Sequence, residues 1–190
     1  MHDRRGFTLV EAVVALGLLA TVSVSVSTAL MAGRATAVHA RDEAIGRVAA
    51  QARLSALTSL AFDTVAGADG SAVAVTDTST DVTADPPGPG GTGLAESPPD
   101  ALWRDTTGYV DYLDAAGRDL GSQAGVRERA AYVRRWAIGR QGSGPGEVVV
   151  MAVLVARSSA AARAAIGDPA RVIDEPGVVL LRAARVRRAS

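Results

Sequence analysis

The chain has no cysteine, no lysine and only two histidines, His2 and His39, in 190 residues. Without cysteine there is no disulfide scaffold, no thiolate metal site and no cysteine nucleophile. Two imidazoles exclude a cage of several histidines. Aromatic residues make up 4% of the chain, too few for a base-stacking surface of any size. All 20 basic side chains are arginines, and alanine, glycine and valine are used heavily. The missing lysines therefore reflect mutational bias rather than function. Net charge is zero as well, but only by cancellation. Residues 1–33 balance, residues 34–62 carry +2, residues 63–119 carry −9 and residues 120–190 carry +7. A basic tract can mark nucleic acid or anionic lipid. The simpler expectation is that the acidic middle and the basic end fold against each other or face water. What remains is a 48% apolar chain, sized for one modest domain or for a small domain with an anchor.

The apolar content is concentrated near the amino terminus. After the polar opening Met1–Gly6, the 22 residues from Ala12 to Gly33 carry no charge. As a helix that run is ~33 Å long, enough to cross a hydrocarbon layer of about 30 Å. Arg4 and Arg5 precede it, so the positive-inside rule predicts residues 1–6 in the cytoplasm and everything after Arg34 outside. A cleaved secretory signal ending at Ala35-Thr36-Ala37 is the first rival, but its apolar region would be shorter. A buried helix of a soluble domain is the second, and the basic opening argues against it. Glu11 stands where an uninterrupted apolar core belongs. A carboxylate at that depth costs at least a few kcal/mol, so it demands a partner or a function.

Gly6-Phe7-Thr8-Leu9-Val10-Glu11, between a short arginine-containing leader and a long apolar helix, resembles the prepilin motif of type IV pilins and type II secretion pseudopilins. The resemblance implies cutting between Gly6 and Phe7 by a membrane prepilin peptidase, followed by methylation of the Phe7 amino group. It also implies that Glu11 pairs with the methylated amino terminus of a neighbouring subunit in a filament. Opposite charges in low dielectric attract strongly and each alone is costly, so such a pair would set the register of one helix against another. The Val13-Val14-Ala15-Leu16 run, and the absence of a proline near Thr28, resemble minor subunits. Pilins of this kind often close a carboxy-terminal loop with a disulfide; here packing alone must hold it.

Past the membrane the pattern continues without proline to Leu60. Val38, Ile45, Val48, Ala49, Ala52, Leu57 and Leu60 are expected to form an apolar stripe, with Arg34, Arg41, Arg47 and Arg53 mostly on other faces. The spacing thus predicts a leader over 1–6, a membrane or filament-core helix over 7–33, its amphipathic continuation over 34–62 and an extracytoplasmic head over 63–190. Ala72–Thr76 reads as a short strand. Residues 86–100 are rich in proline and glycine and are expected to form a solvated loop. Its acids, with their neighbours (Asp77, Asp81, Asp85, Glu96, Asp100), lack the alternate spacing of a calcium loop. Tyr109–Leu113 reads as a strand ended by a turn at Asp114–Arg118. Ala131–Ile138 reads as another, with Tyr132, Arg134, Trp136 and Ile138 on one face. Gly139–Gly146 is expected to be a loop. Glu147–Ala156 is apolar on both faces, as a covered central strand would be. Ser158–Ile166 reads as a short helix and Val178–Val186 as a last strand with exposed arginines. The fold class is α+β: a long helix on a small antiparallel sheet, pilin-like.

No nucleophile, base and orienting acid come together in this pattern, so an enzyme is not expected, and neither is a cofactor or metal. His39 is read as a surface histidine. The leading expectation is a single-pass inner-membrane structural subunit of a pseudopilus or pilus. Its partners would be prepilin peptidase, other pilins and membrane lipid. One alternative is a DNA-uptake minor pilin using Arg182, Arg185, Arg187 and Arg188, although these charges equally suit a guarded edge strand. The other is a plain membrane anchor with an unrelated head.

Overall fold

The structure is a computed structural model, and it describes residues 8–123, 125–144, 146–159 and 177–188. The chain divides into two compact units, one up to Arg41 and one from Asp42 onward. A single helix, α1 (Leu9–Ser59), contributes to both. Proline is absent from it, and alanine and leucine are frequent, so nothing in the sequence interrupts its hydrogen bonding.

In the second unit the buried positions of α1 are Asp42, Gly46, Ala49, Ala50, Arg53, Leu54 and Leu57, a stripe at three-and-four spacing. The expected stripe is thereby corrected: Val48 and Ala52 face outward, and Arg53 faces in. The stripe lies one residue to the side of the one that hydropathy picks out, because two of its members are charged and paired. Gly46 allows a close approach, since a Cβ there would lie 3.0 Å from Val179 Cγ2.

Among the described residues the main sheet has five antiparallel strands, in the order β6-β5-β7-β8-β9. These are β5 (Val110–Leu113), β6 (Asp119–Gly121), β7 (Tyr132–Gln141), β8 (Val148–Arg157) and β9 (Val179–Val186). The sheet is therefore antiparallel and carries the helix, as the α+β reading requires. Tyr132, Trp136, Ile138, Met151, Val153 and Val155 meet Ala49, Ala50, Leu54 and Leu57 in one core. On the opposite sheet face Val110, Tyr112, Val133 and Leu154 pack with Leu102, Trp103 and Val126. Burial on both faces explains why β8 reads as unbroken apolar sequence. The turn after β5 follows its sequence: Asp114 Oδ1 accepts from the Ala116 and Arg118 amides, and Gly117 takes positive φ.

Several expectations are corrected. The loop expected from Gly139 starts three residues later, because β7 stays in register with β8 through Gln141 opposite Val148. A hairpin of β1 (Phe62–Ala66) and β2 (Ala72–Thr76) follows the helix, of which only the second strand was expected. The helix stops at Ser59, so Leu60 to Phe62 are not its continuation. The proline- and glycine-rich segment is not simply solvated. Its Gly88–Pro89 (β4) pairs with Thr80–Asp81 (β3), Leu94 is wholly buried, and Ser97 exchanges hydrogen bonds with Ile138. Its glycines serve close approach: at Gly91 any Cβ would overlap the backbone of Asp81. Of the helix expected at 158–166, Ser158 and Ser159 are helical and the remainder lies outside the described residues.

Candidate functional site

The sequence places the candidate functional residues near the amino terminus. Gly6 and Phe7 lie outside the described residues; Thr8 and Glu11 are within them. Thr8 precedes the first helical residue, and Glu11 stands three positions later, which is the spacing of a capping box. The Thr8 amide donates to Glu11 Oε2 at 3.1 Å, and the Thr8 hydroxyl donates to the same oxygen at 3.1 Å. In return the Glu11 amide donates to Thr8 Oγ1 at 3.3 Å. Two otherwise orphaned backbone donors are satisfied, and the negative charge sits at the positive end of the helix dipole. The carboxylate within the apolar segment is thus engaged by its own chain. The sequence reading sought its partner elsewhere and missed this local one, although Thr-x-x-Glu carries the signal.

Beyond Glu11 the helix shows its apolar side chains: Val13, Leu16, Leu18, Leu19, Val22, Val24, Val26 and Leu30 are all more than half exposed. By length and composition the helix is long and apolar enough to cross a membrane. The hydroxyls within it are internally satisfied. Ser23, Ser25, Ser27 and Thr28 each donate to the carbonyl four residues back, at 2.6–2.9 Å. Thr21 and Thr36 do the same at 3.2 and 3.0 Å. In hydrocarbon an unpaired hydroxyl costs several kcal/mol, and these bonds remove that cost.

In the second unit the charges arrange themselves differently from the expectation of a solvated arginine face. Asp111 is fully buried in β5 and accepts from Arg134 Nε at 2.9 Å and Nη2 at 2.7 Å. Arg53 of α1 also donates to Asp111, and reaches Asp119 at 3.2 Å. Arg53 lies over the Trp136 ring at 4.9 Å. Burial pushes the Asp111 carboxyl up, against the hydrogen bonds and charge of Arg134 and the charge of Arg53. Burial likewise lowers the Arg53 guanidinium. Asp42 of α1 accepts from Tyr132 at 2.7 Å and from Arg157 at 2.6 and 2.7 Å. On the other sheet face Arg135 holds Asp105 at 2.7 Å. The acidic middle and the basic end do fold against each other.

The carboxy-terminal arginines are also taken up inside the fold. Arg185 donates to the Thr58 and Leu60 carbonyls at 2.9 and 2.6 Å, placing a cation at the carboxyl end of α1. Arg187, expected on the surface, is buried. It donates to Glu147, to the carbonyls of Asp63 and Val75 and to Thr76 Oγ1, and lies 4.2 Å from the Phe62 ring centroid. Glu147 also accepts from Arg140. Burial alone would raise the Glu147 carboxyl, but its hydrogen bonds to Arg140 and Arg187 outweigh this and hold it low. Only Arg182 and Arg188 of the basic tail remain exposed.

Two of the acids near the proline- and glycine-rich segment are turned to local use. Asp77 accepts from Ser79 and Thr80, and Asp81 from Thr83. Among the described residues no three His, Asp or Glu side chains are grouped to hold a metal ion. His39 lies exposed on α1.

Residues 1–27 match a protein family described as the prokaryotic N-terminal methylation motif. That match spans the amino-terminal motif and much of the apolar segment, and it supports a pilin-like protein that is processed at this motif. No curated protein and no solved structure matches the chain.

Proposed function

We propose that this protein is a membrane-anchored structural subunit of a type IV pilus or type II secretion pseudopilus, most similar to the minor subunits. The observation that carries the reading is the methylation-motif match over residues 1–27, with Glu11 just before the 22 uncharged residues from Ala12 to Gly33. In this reading prepilin peptidase cuts between Gly6 and Phe7 and methylates Phe7. The chain sits in the inner membrane with its amino terminus in the cytoplasm and its head outside. Assembly buries the apolar face of α1 among neighbouring helices, and Glu11 exchanges its local bonds with Thr8 for the charged amino terminus of a neighbour. In low dielectric that exchange is favourable, because it pairs two charges that would otherwise each be desolvated alone.

The alternative of DNA uptake through a basic tail loses support, since Arg185 and Arg187 are committed to the helix end and to Glu147. The plain-anchor alternative and the pilin reading part at the amino terminus. Mass spectrometry of the membrane-extracted protein should find a chain beginning at methylated Phe7. Replacing Gly6 with a bulkier residue should leave the six-residue leader attached. A wild-type chain that keeps Met1 through Gly6 overturns the reading.

A further inference from the structure

Among the described residues the edges of the sheets are not equally protected. In the main sheet, β6 is three residues long and begins with Asp119, while β9 carries Arg182 and Arg185. Charge and shortness are the usual defences of an edge against pairing with another chain. The β1–β2 hairpin has neither along its second strand. β2 reads Ala72-Val73-Ala74-Val75-Thr76, without charge or proline, and Ala72 to Val75 are all exposed.

The direction of its free hydrogen-bonding groups follows from the ladder. Gly67 donates to Ser71 and Asp77 to Ala61, at the two ends of the hairpin. Counting by twos along the register, Val65 opposite Val73 and Asp63 opposite Val75 are the hydrogen-bonded pairs. Ala72 and Ala74 therefore turn their amides and carbonyls away from β1. Among the described residues no backbone group bonds to them. One face of the hairpin carries Val65, Val73 and Val75, respectively 46%, 45% and 37% exposed, with Asp63 beside Val75.

We propose that a second copy of this chain pairs antiparallel along β2, centred on Ala74, to make a four-stranded sheet across the two copies. The segment is complementary to itself. With Ala74 opposite its own copy, Val73 falls opposite the partner's Val75, and outward-facing backbone groups meet outward-facing backbone groups. The valines of both hairpins then share one face as cross-strand neighbours, the arrangement that stabilises antiparallel pairs. No like charges oppose one another along the seam, because β2 has none; Asp63 is one strand removed from it. This is recognition by strand addition, with backbone bonds for affinity and side-chain alternation for register. It extends beyond the filament reading and does not depend on amino-terminal processing.

The absence of cysteine makes the test clean. The full chain is expressed in membranes with one thiol introduced by Ala74→Cys, or by Ala115→Cys in the exposed Asp114–Arg118 turn as a comparison, and oxidised. At the centre of the seam the two Ala74 Cα atoms would stand about 5.5 Å apart, within disulfide range. A74C is expected to give a product of twice the chain mass, at least tenfold more than A115C. Adding Val73→Lys to A74C places cations near the seam and should reduce that product by tenfold or more. Contact through the apolar helices alone would not discriminate between the two thiols or respond to V73K. Equal yields from A74C and A115C, an unchanged yield in the V73K background, or a product of some other mass each overturn the proposal.

Discussion

The residue that most changes the reading of this chain is Arg187. In sequence it is one of a run of terminal arginines; in the structure it joins β1, β2 and Glu147 through charge-assisted hydrogen bonds. Arg187→Ala would leave Glu147 buried with Arg140 alone and strip the carbonyls of Asp63 and Val75 of a donor. Breaking a buried pair from one side costs about 3–5 kcal/mol. The variant is therefore expected to unfold at markedly lower denaturant and to be cut by protease in the 62–76 hairpin first. Glu147 also carries a pH dependence. Its carboxyl is held below its ordinary value in the folded protein, so its contribution is complete above the unfolded carboxyl range. That contribution is lost as pH falls through the folded value. Acid unfolding followed by circular dichroism should show a shallower loss of stability in Glu147→Gln than in the unsubstituted protein. The variant should already be weakened at neutral pH, where its neutral amide cannot match the carboxylate. Equal acid slopes would remove Glu147 from the account.

At the scale of elements, α1 and the main sheet are fitted through a glycine and finished by an arginine. Gly46→Val would drive a branched side chain toward Val179, and overpacking of this kind costs about 1–3 kcal/mol. Arg185→Ala would uncap the carboxyl end of α1, an interaction of roughly 1 kcal/mol and up to about 2 when partly buried. Hydrogen exchange is expected to quicken at the last turn of α1, around Leu57 to Ser59, and to change little in β7 and β8. The elements were unequally legible in the sequence. The uninterrupted helix, the apolar β8 and the Asp114–Arg118 turn follow from periodicity and turn chemistry. So does the inward face of β7, on which Tyr132, Arg134, Trp136 and Ile138 all lie. What escaped was the burial of charge. Arg134 and Arg135 are adjacent in a strand, so they must face opposite sides, and this sheet is covered on both. Only the partners, Asp111 for one and Asp105 for the other, make that tolerable, and they lie 23 and 30 residues away. Hydropathy has no means of seeing such a pairing. The capping box at Thr8 and Glu11 was legible locally, but the search for a distant partner of Glu11 overlooked it.

For the molecule as a whole, part of the charge balance is struck inside the fold. Asp111 and Asp105 of the acidic middle take up Arg134 and Arg135 of the basic end, and Glu147 takes up Arg187 within that end. The apolar surface, by contrast, is concentrated on the first half of α1. If that segment spans lipid, an arginine at its middle costs roughly 3 kcal/mol. Leu19→Arg is then expected to lower the fraction of protein retained by alkali-washed membranes tenfold or more, and full retention would argue against the span.

The cap on α1 also bears on the order of events during biosynthesis. Its donor, Arg185, lies 127 positions after Thr58 and 125 after Leu60. While the chain is being made, all of α1 precedes Arg185 by more than a hundred residues, so the trailing end of the helix is at first unfinished. The last turn acquires its cation only when β9 emerges and docks. Completion of the head and completion of the helix are therefore a single event, and a chain stalled before β9 carries a frayed helix end that quality-control proteases can grip.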